Sequence, residues 1–475
     1  MNKGTTKRPN VLVILVDQLR YDVFSHRGNR VIETPKLDRL AGEGVLLTDA
    51  TCSTPLCGPS RACLLSGCYG FDGKYQYRNC ETTEKGLWLG EITTVDEALA
   101  EAGYHVEYHG KWHTGREHLD CYKGGRRVFG HKLVDYDEHL AARYPRPPDD
   151  GEHKIDRYTG WPYRYWPVDD MMEAAARNGF QMPHHNEAGI IDVADEDTLT
   201  AWTASKTTRF LGSRPQTPFA VTCSILQPHA PLIANEKYAT MFDPADMPMP
   251  RNVDHTIEKN PPIPGALPAD ASGLGQFMAL YYGLVKELDD WVGKMLDALD
   301  SAGLAQDTLV IFTSDHGELM GSHRTLSKMR FFEESLRVPL IMRYPRAIAP
   351  GAKRDAAASG ADVAPTVLDY CGVPALPQFH GRSLRGVIDG EPPADEFAYS
   401  DTRVAQCLRS REWKYVTKLD EPPQLYELGN DPYEMHNLLA ERPVSREAIS
   451  LKEELDHRLA AEFPKRWLSA EENRR

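Results

Sequence analysis

Cys57-Gly58-Pro59-Ser60-Arg61 lies at the centre of the stretch CSTPLCGPSRACLLSG, Cys52 to Gly67, and its residue types describe a place for a nucleophile. Pro59 suits the first turn of a helix, where its missing N–H costs nothing and its fixed φ is already helical. ACLLSG continues as the apolar body of that helix. Cys57 then falls at or just before the helix N-terminus, where free backbone N–H groups and the helix dipole favour negative charge. Taken singly, a cysteine in such a place is more ordinarily a small buried side chain.

Three apolar runs end in polar residues. VLVILV ends in Asp17-Gln18, PFAVTCSIL in Gln227-Pro228-His229, and TLVIFT in Ser314-Asp315-His316. The carboxyl ends of such strands are where open α/β sheets place ligands. If these ends converge, two carboxylates, an amide oxygen and an imidazole form a mostly oxygen donor set. That set suits Ca2+, Mg2+ or Mn2+ better than a soft metal. Carboxylates meeting at one sheet edge repel unless a cation or proton offsets them, whereas a single Asp at a strand end usually caps the next helix. HExxH and paired-His zinc patterns are absent. His105, His109, His113 and His118 crowd one segment, which by itself reads as a solvated His-rich strand and loop. Lys111 and His113 flank Trp112, so an extended backbone turns both to one side, as positive charge and proton carrier beside an anion site. Lys328 and Arg61 could complete a ring, although such residues are usually surface.

The elements that must position these residues are legible in outline. Val11 to Val16, Pro218 to Leu226, Thr308 to Thr313 and Val338 to Met342 have the continuous apolar character of strands buried on both faces. Tyr104 to Tyr108 alternates like a strand leading into HGKWHTG. Helices are predicted over Thr34 to Gly44, with Thr34 as N-cap and Pro35 at N1, and over Thr94 to Ala102, Leu199 to Leu211 and Gly275 to Ala302. The alternation predicts an α/β fold, a large mainly parallel sheet sandwiched by helices. From about Leu376 the texture changes. Short strands over Leu408 to Thr417 and QLYEL and a closing helix over Val444 to Phe463 predict a smaller C-terminal α+β subdomain with a short antiparallel sheet. The expected division is 1–375 and 376–475. Within the first part, 116–197 lacks period and reads as an irregular insertion over the site; its Trp161, Tyr163, Tyr165 and Trp166 could stack on a ring or simply pack. Residues 243–270 are Pro-rich and loop-like.

The chain has 475 residues, 41% hydrophobic and 26% charged, enough for a sizeable core. Its net charge of -14 argues against a nucleic-acid partner and requires that an anionic substrate meet local positive charge. The polar start runs into an apolar stretch too short for a span and without a cleavage site, so the expectation is a soluble, cytoplasmic protein with no membrane partner, or a periplasmic or secreted one if a leader has been trimmed. Nine cysteines without a CxxC pair predict buried free thiols rather than a disulfide framework.

Cys-x-Pro-Ser-Arg, in this order with the other segments, resembles the sulfatases of the alkaline-phosphatase-like superfamily. Asp17 and Gln18 resemble the metal pair after the first strand, and Asp315 and His316 the second pair. Cys57 matches the precursor of formylglycine, and Arg61 the arginine that braces it. Lys111 and His113 match the GKWHxG segment, His229 in PHAP the histidine near the leaving group, and Lys328 the lysine that follows. LYELGNDPYEMHNL, from Leu425, resembles the C-terminal DPxExxNL signature. The resemblance implies hydrolysis of an aryl or carbohydrate sulfate ester. Formylglycine at 57, hydrated to a gem-diol, attacks sulfur with help from one divalent cation ligated by Asp17, Gln18, residue 57, Asp315 and His316, Ca2+ before Mg2+ or Mn2+. His229, with Lys328, protonates the leaving alcohol; His113 takes a proton from the second hydroxyl; Lys111 and Arg61 hold charged groups. A formylglycine-generating maturation enzyme is the implied second partner. The alternative within the superfamily is a phosphonate monoester or phosphodiester hydrolase with the same nucleophile. Asp17-Gln18 and Asp315-His316 fit that alternative and Asn79 matches one of its substrate positions, while GKWHTG is the sulfatase form. A catalytically silent anion-binding protein is the third reading.

Overall fold

The structure, a computed structural model, describes residues 8–70, 92–114, 127–129, 134–148, 153–156, 159–165, 188–215, 218–255, 273–402, 404–441 and 443–464. In chain order the strands are β1 (Asn10–Val16), β2 (Val45–Thr51), β3 (His105–Lys111), β4 (Arg127–Phe129), β5 (His153–Ile155), β6 (Pro162–Tyr165), β7 (Ala188–Ile190) and β8 (Phe219–Ile225). They continue with β9 (Leu232–Ala234), β10 (Thr308–Ser314), β11 (Leu340–Arg343), β12 (Ala352–Ser359), β13 (Ala398–Thr402), β14 (Ala405–Arg409), β15 (Trp413–Lys418) and β16 (Glu421–Glu427). The main helices are α1 (Pro35–Glu43), α2 (Cys57–Ser66), α3 (Val95–Glu101), α4 (Val134–Ala141), α5 (Leu199–Gly212), α6 (Leu274–Ser301), α7 (Val363–Tyr370) and α8 (Arg446–Glu462).

Eight strands build the main sheet in the order β12-β2-β11-β10-β1-β8-β3-β4. β1 pairs in parallel with β10 and β8, β8 with β3, and β3 with β4, while β11 alone runs antiparallel between β10 and β2. Alternate residues of β1 go to opposite faces, as strand geometry requires. Leu12, Ile14 and Val16 join one apolar cluster with α1, α5 and α6; Val11 and Leu15 join the other, with α2, α3 and α7. Both faces are therefore dry, which is why β1 is apolar from Val11 onwards.

Helix ends follow their sequence signals unevenly. Thr94 forms a capping box with Glu97 at the start of α3. Thr34 occupies the N-cap of α1 but its side chain does not cap. Asp289 of α6 does so instead, accepting from the backbone N–H groups of Lys36 and Leu37 at 3.0 and 2.8 Å. The described parts of 116–197 contain short regular elements. They carry β4, α4 and the strands β5, β6 and β7, which form a small sheet with β9 in the order β5-β6-β7-β9. Strands of three or four residues are too short to show a period. The C-terminal part forms the predicted antiparallel sheet, β13-β14-β15-β16, under α8. No helix among the described residues is long and apolar enough to cross a membrane. The seven described cysteines are buried free thiols.

Candidate active site

The register of the main sheet brings the predicted strand ends together. Val16 is level with Ser314 on one side and with Ile225 on the other. Asp17, Gln18, Asp315 and His316 therefore leave the sheet at one edge, and α2 starts there with Cys57 as its first residue. Every residue of α2 is buried, so Cys57 is fixed from beneath.

Cys57 Sγ is the focus of the site. Lys328 Nζ lies 3.0 Å away, His316 Nε2 3.2 Å away, and the thiol donates to Asp17 Oδ1 at 3.6 Å. Asp17, Cys57, Asp315 and His316 each offer a ligand atom within 4.8 Å of the others. Burial alone would push the Cys57 thiol up. Lys111, Lys328 and His316, with a hydrogen bond involving His113, outweigh it and hold the thiol well below its ordinary value.

Arg61, four residues along α2, lies behind the nucleophile and is fully buried. Its Nε donates to Asp315 Oδ2 at 2.8 Å and its Nη2 to Asp17 Oδ2 at 3.1 Å. Nη1 donates to the Lys111 carbonyl at 2.9 Å and to Ser224 Oγ at 2.6 Å. One guanidinium thus joins the ends of β1, β3, β8 and β10. Lys111 Nζ pairs with Asp17 Oδ2. Burial and Cys57 push Asp17 up, but Lys111, His229 and Arg61 pull it far below the usual carboxylate range. Asp315 is pushed up by burial and by Asp17, against His316 and Arg61. Two carboxylates at this edge resist carrying two full charges, the condition that a bound cation relieves.

Lys328 Nζ bridges three groups, donating to Gln18 Oε1 at 2.7 Å as well as meeting Cys57 Sγ and, at 2.8 Å, His229 Nε2. His229 Nδ1 faces the Ala230 carbonyl at 2.5 Å and can only donate to it, which leaves Nε2 as the acceptor from the Lys328 ammonium. Burial, Lys328 and Lys111 lower the His229 imidazole to about 4. Gln18, His113, Ser327 and Met329 hold φ values of 61°, 56°, 72° and 73°. Left-handed backbone at non-glycine residues clusters here because the surrounding bonds over-determine it.

All ten site residues expected from the sequence meet at this edge. Four supporting residues were not singled out. Ser224 Oγ donates to the Lys111 carbonyl at 2.7 Å, and Ser60 Oγ to the Asp315 carbonyl at 2.5 Å. Tyr281 of α6 donates its hydroxyl to the Gln18 carbonyl at 2.7 Å, and Glu318 accepts from Gln18 Nε2. Glu318 had a signal, its place just after Asp315-His316-Gly317; Tyr281, deep in an amphipathic helix, had none. Of the described histidines of the cluster, His113 alone reaches Cys57. His105 and His109 each meet a Glu107 oxygen at 2.9 Å, so their crowding is local pairing. Trp161 and Tyr163 pack with Tyr136 and Trp202. His118, Asn79, Trp166 and the Tyr165 side chain lie outside the described residues.

The sulfatase family profile matches residues 9–373, from the start of β1 to just past α7. The chain belongs to the sulfatase family. A second profile, N-sulphoglucosamine sulphohydrolase, C-terminal, matches residues 321–461. The multifunctional alkaline phosphatase superfamily protein PehA of Trinickia caryophylli is 28% identical, over 91% of each chain. An arylsulfatase of Clostridium perfringens is 27% identical, over 91% of this chain and 90% of that one. The crystal structure of the phosphonate monoester hydrolase of Agrobacterium radiobacter superposes with a TM-score of 0.75 at 26% identity, covering 96% of this chain and 95% of that one. Family membership makes this sulfatase a hydrolase of the alkaline-phosphatase superfamily.

Proposed function

We propose that this sulfatase hydrolyses a small-molecule or saccharide sulfate ester, with Cys57 as the precursor of its nucleophile. The observation that carries this reading is the convergence of Lys328, His316 and Asp17 on Cys57 Sγ inside a buried site. Asp17, Asp315, His316, the Gln18 amide oxygen and residue 57 would hold a divalent cation, and this oxygen-rich set fits Ca2+, with Mg2+ or Mn2+ next. The cation supplies positive charge that acidifies a neighbouring hydroxyl and neutralises sulfate oxygens. Formylglycine, which a maturation enzyme would make from Cys57, would supply when hydrated a nucleophilic oxygen and a second hydroxyl for the release of sulfate.

The chain's own residues do the rest. Arg61 and Lys111 keep Asp17 charged and oriented. Lys328 Nζ and His229 Nε2 stand 2.8 Å apart beside the nucleophile and form a proton source for the leaving alcohol. His113, hydrogen-bonded to residue 57, takes the proton that must leave it in the second half of the reaction. Lys111, Arg61 and Lys328 also bring local positive charge to a chain whose net charge is -14.

A second reading, phosphonate monoester or phosphate diester hydrolysis, is favoured by Gln18 and His316 in the donor set and by the likeness to the Agrobacterium radiobacter enzyme. The deciding experiment compares turnover of an aryl sulfate, an aryl phosphonate and a phosphate diester by protein co-produced with a maturation enzyme, the Cys57 peptide being weighed for formylglycine. Fastest cleavage of the sulfate, lost in Cys57→Ala, is expected. Clear preference for the phosphorus esters makes the second reading right, and binding without turnover by the formylglycine form leaves only an anion-binding role.

A further inference from the structure

We propose that Glu318 is the positioning residue that turns the amide oxygen of Gln18 towards the cation site. The inference rests on the cation-site reading above and deepens it. A glutamine side chain offers an oxygen or an NH2 group to whatever it faces, and only the oxygen can ligate a cation. In this chain the choice is made by two partners on opposite sides of the amide. Lys328 Nζ, which can only donate, meets Oε1 at 2.7 Å. Glu318 Oε2 takes the hydrogen bond from Nε2. Lys328 also meets Cys57 Sγ and His229 Nε2, so its ammonium is shared among three groups and does not fix the amide alone. Glu318 supplies the second hold.

Glu318 is built for that role. It is 1% exposed, and its other oxygen, Oε1, accepts the backbone N–H groups of Met320, at 3.1 Å, and Ser327. Those bonds close the loop that runs from Glu318 to Lys328. One carboxylate therefore fixes both the orientation of Gln18 and the stem of the lysine that meets it. The Gln18 backbone is held equally firmly, at φ 61°, by its N–H to Asp315 Oδ1 at 3.1 Å and by the Tyr281 hydroxyl on its carbonyl. With the backbone pinned, the amide flip is the freedom that remains, and Glu318 removes it. Partners of this kind behind a ligand typically alter metal affinity 10- to 100-fold when changed.

The test replaces the acceptor by a near-isostere and asks whether the effect runs through Gln18. In Glu318→Gln the new amide can donate to position 18, so Gln18 is free to present NH2 to the site. The dissociation constant for Ca2+ or Mn2+, measured by calorimetry on the formylglycine form, should rise at least about tenfold. Gln18→Ala should weaken cation binding too, and adding Glu318→Gln to it should change the affinity by no more than about twofold, because the ligand that Glu318 orients is gone. A Glu318→Gln protein that binds the cation like wild type overturns the inference, as does a Glu318→Gln effect of the same size in the Gln18→Ala background. Should Glu318→Gln not accumulate, Glu318→Asp, whose carboxylate is one methylene shorter, goes through the same cycle with the same two outcomes. Wild-type protein that binds no cation would instead fail the reading on which the inference rests.

Discussion

Arg61 shows how little slack the site has. It is a buried guanidinium with four distinct acceptors, two of them the carboxylates of the candidate cation site. A lysine has one donor centre and cannot span Asp315 Oδ2 and Asp17 Oδ2 while also reaching Ser224 and the Lys111 carbonyl. Arg61→Lys should destabilise the fold by about 3–5 kcal/mol, the usual result of breaking a buried charged arrangement, read as a lower urea midpoint at unchanged slope. Turnover should fall at least about 100-fold, because residue 57 and both carboxylates lose their common brace. Retention of both midpoint and rate would mean that the strand ends hold themselves together. At this scale the sequence was readable wherever chemistry coincided with an element end. Asp17, Asp315 and His229 follow apolar strands, and Cys57 precedes an apolar helix with a proline in its first turn. Ser224 and Tyr281 were not readable, because they act through hydrogen bonds to residues distant in sequence, and nothing in the residue type announces the partner; Glu318 had only its place after Asp315-His316-Gly317 to mark it.

At the scale of elements, β3 must bring Lys111 hard against the end of β8, and Gly110 lets it do so. Gly110 has φ 104°, and a Cβ there would lie 1.9 Å from the Ser224 carbonyl oxygen. Gly110→Ala combines a left-handed backbone with a backbone clash, so it should cost several kcal/mol and lower kcat by moving Lys111 away from Asp17. A variant of unchanged melting temperature and rate would show that the strands have room to separate. The long helix α6 carries a different signature. Glu287, 1% exposed in its middle, receives the Thr198 hydroxyl, and burial pushes its carboxyl up to about 8 from an ordinary 4.5. Between those values the native state keeps a proton that the unfolded chain has released. Stability is therefore lost as pH rises through that window, by at most about 1.4 kcal/mol per unit. Glu287→Gln removes this component, so its melting temperature should gain steadily on that of wild type from pH 5 to pH 8. A constant gap would show that Glu287 is ionised in the fold. The main strands and α6 were legible from apolar runs and helical spacing. The small sheet of β5, β6, β7 and β9 was not, since it joins very short strands from separate stretches of chain.

At the scale of the whole molecule, the antiparallel sheet is tied to the body by buried charge and not only by apolar contact. Arg409 of β14 donates to Asp49 of β2 and to Glu333, each at 2.8 Å. Lys414 of β15 meets Glu333 at 2.8 Å, and Glu434 and the Phe331 carbonyl at 2.7 Å each. Glu434 in turn accepts the Glu333 N–H at 2.7 Å, and Asp401 N–H donates to the Ser53 carbonyl at 3.0 Å. These ties fall five residues after Lys328 and four before Cys57, so the C-terminal sheet braces both chain segments that reach the nucleophile. Burial pushes Glu434 up to about 8 despite Lys414, while Arg409, Lys414 and Arg337 overcome burial at Glu333 and hold it low. Lys414 is thus the cation between two carboxylates that have no water to turn to. Lys414→Ala should cost about 3–5 kcal/mol, since it takes the cation from buried Glu434 and leaves Glu333 to Arg409 and Arg337. The loss should be felt throughout, because a structure joined by shared buried charge unfolds as one unit. Hydrogen exchange in rising urea tests this directly. Amides of β1 and of β15 should lose protection at the same urea concentration, and in Lys414→Ala both should shift down together. Earlier exchange in β15 alone would mean that the C-terminal sheet opens independently, and the brace on Lys328 and Cys57 would then be conditional on that opening.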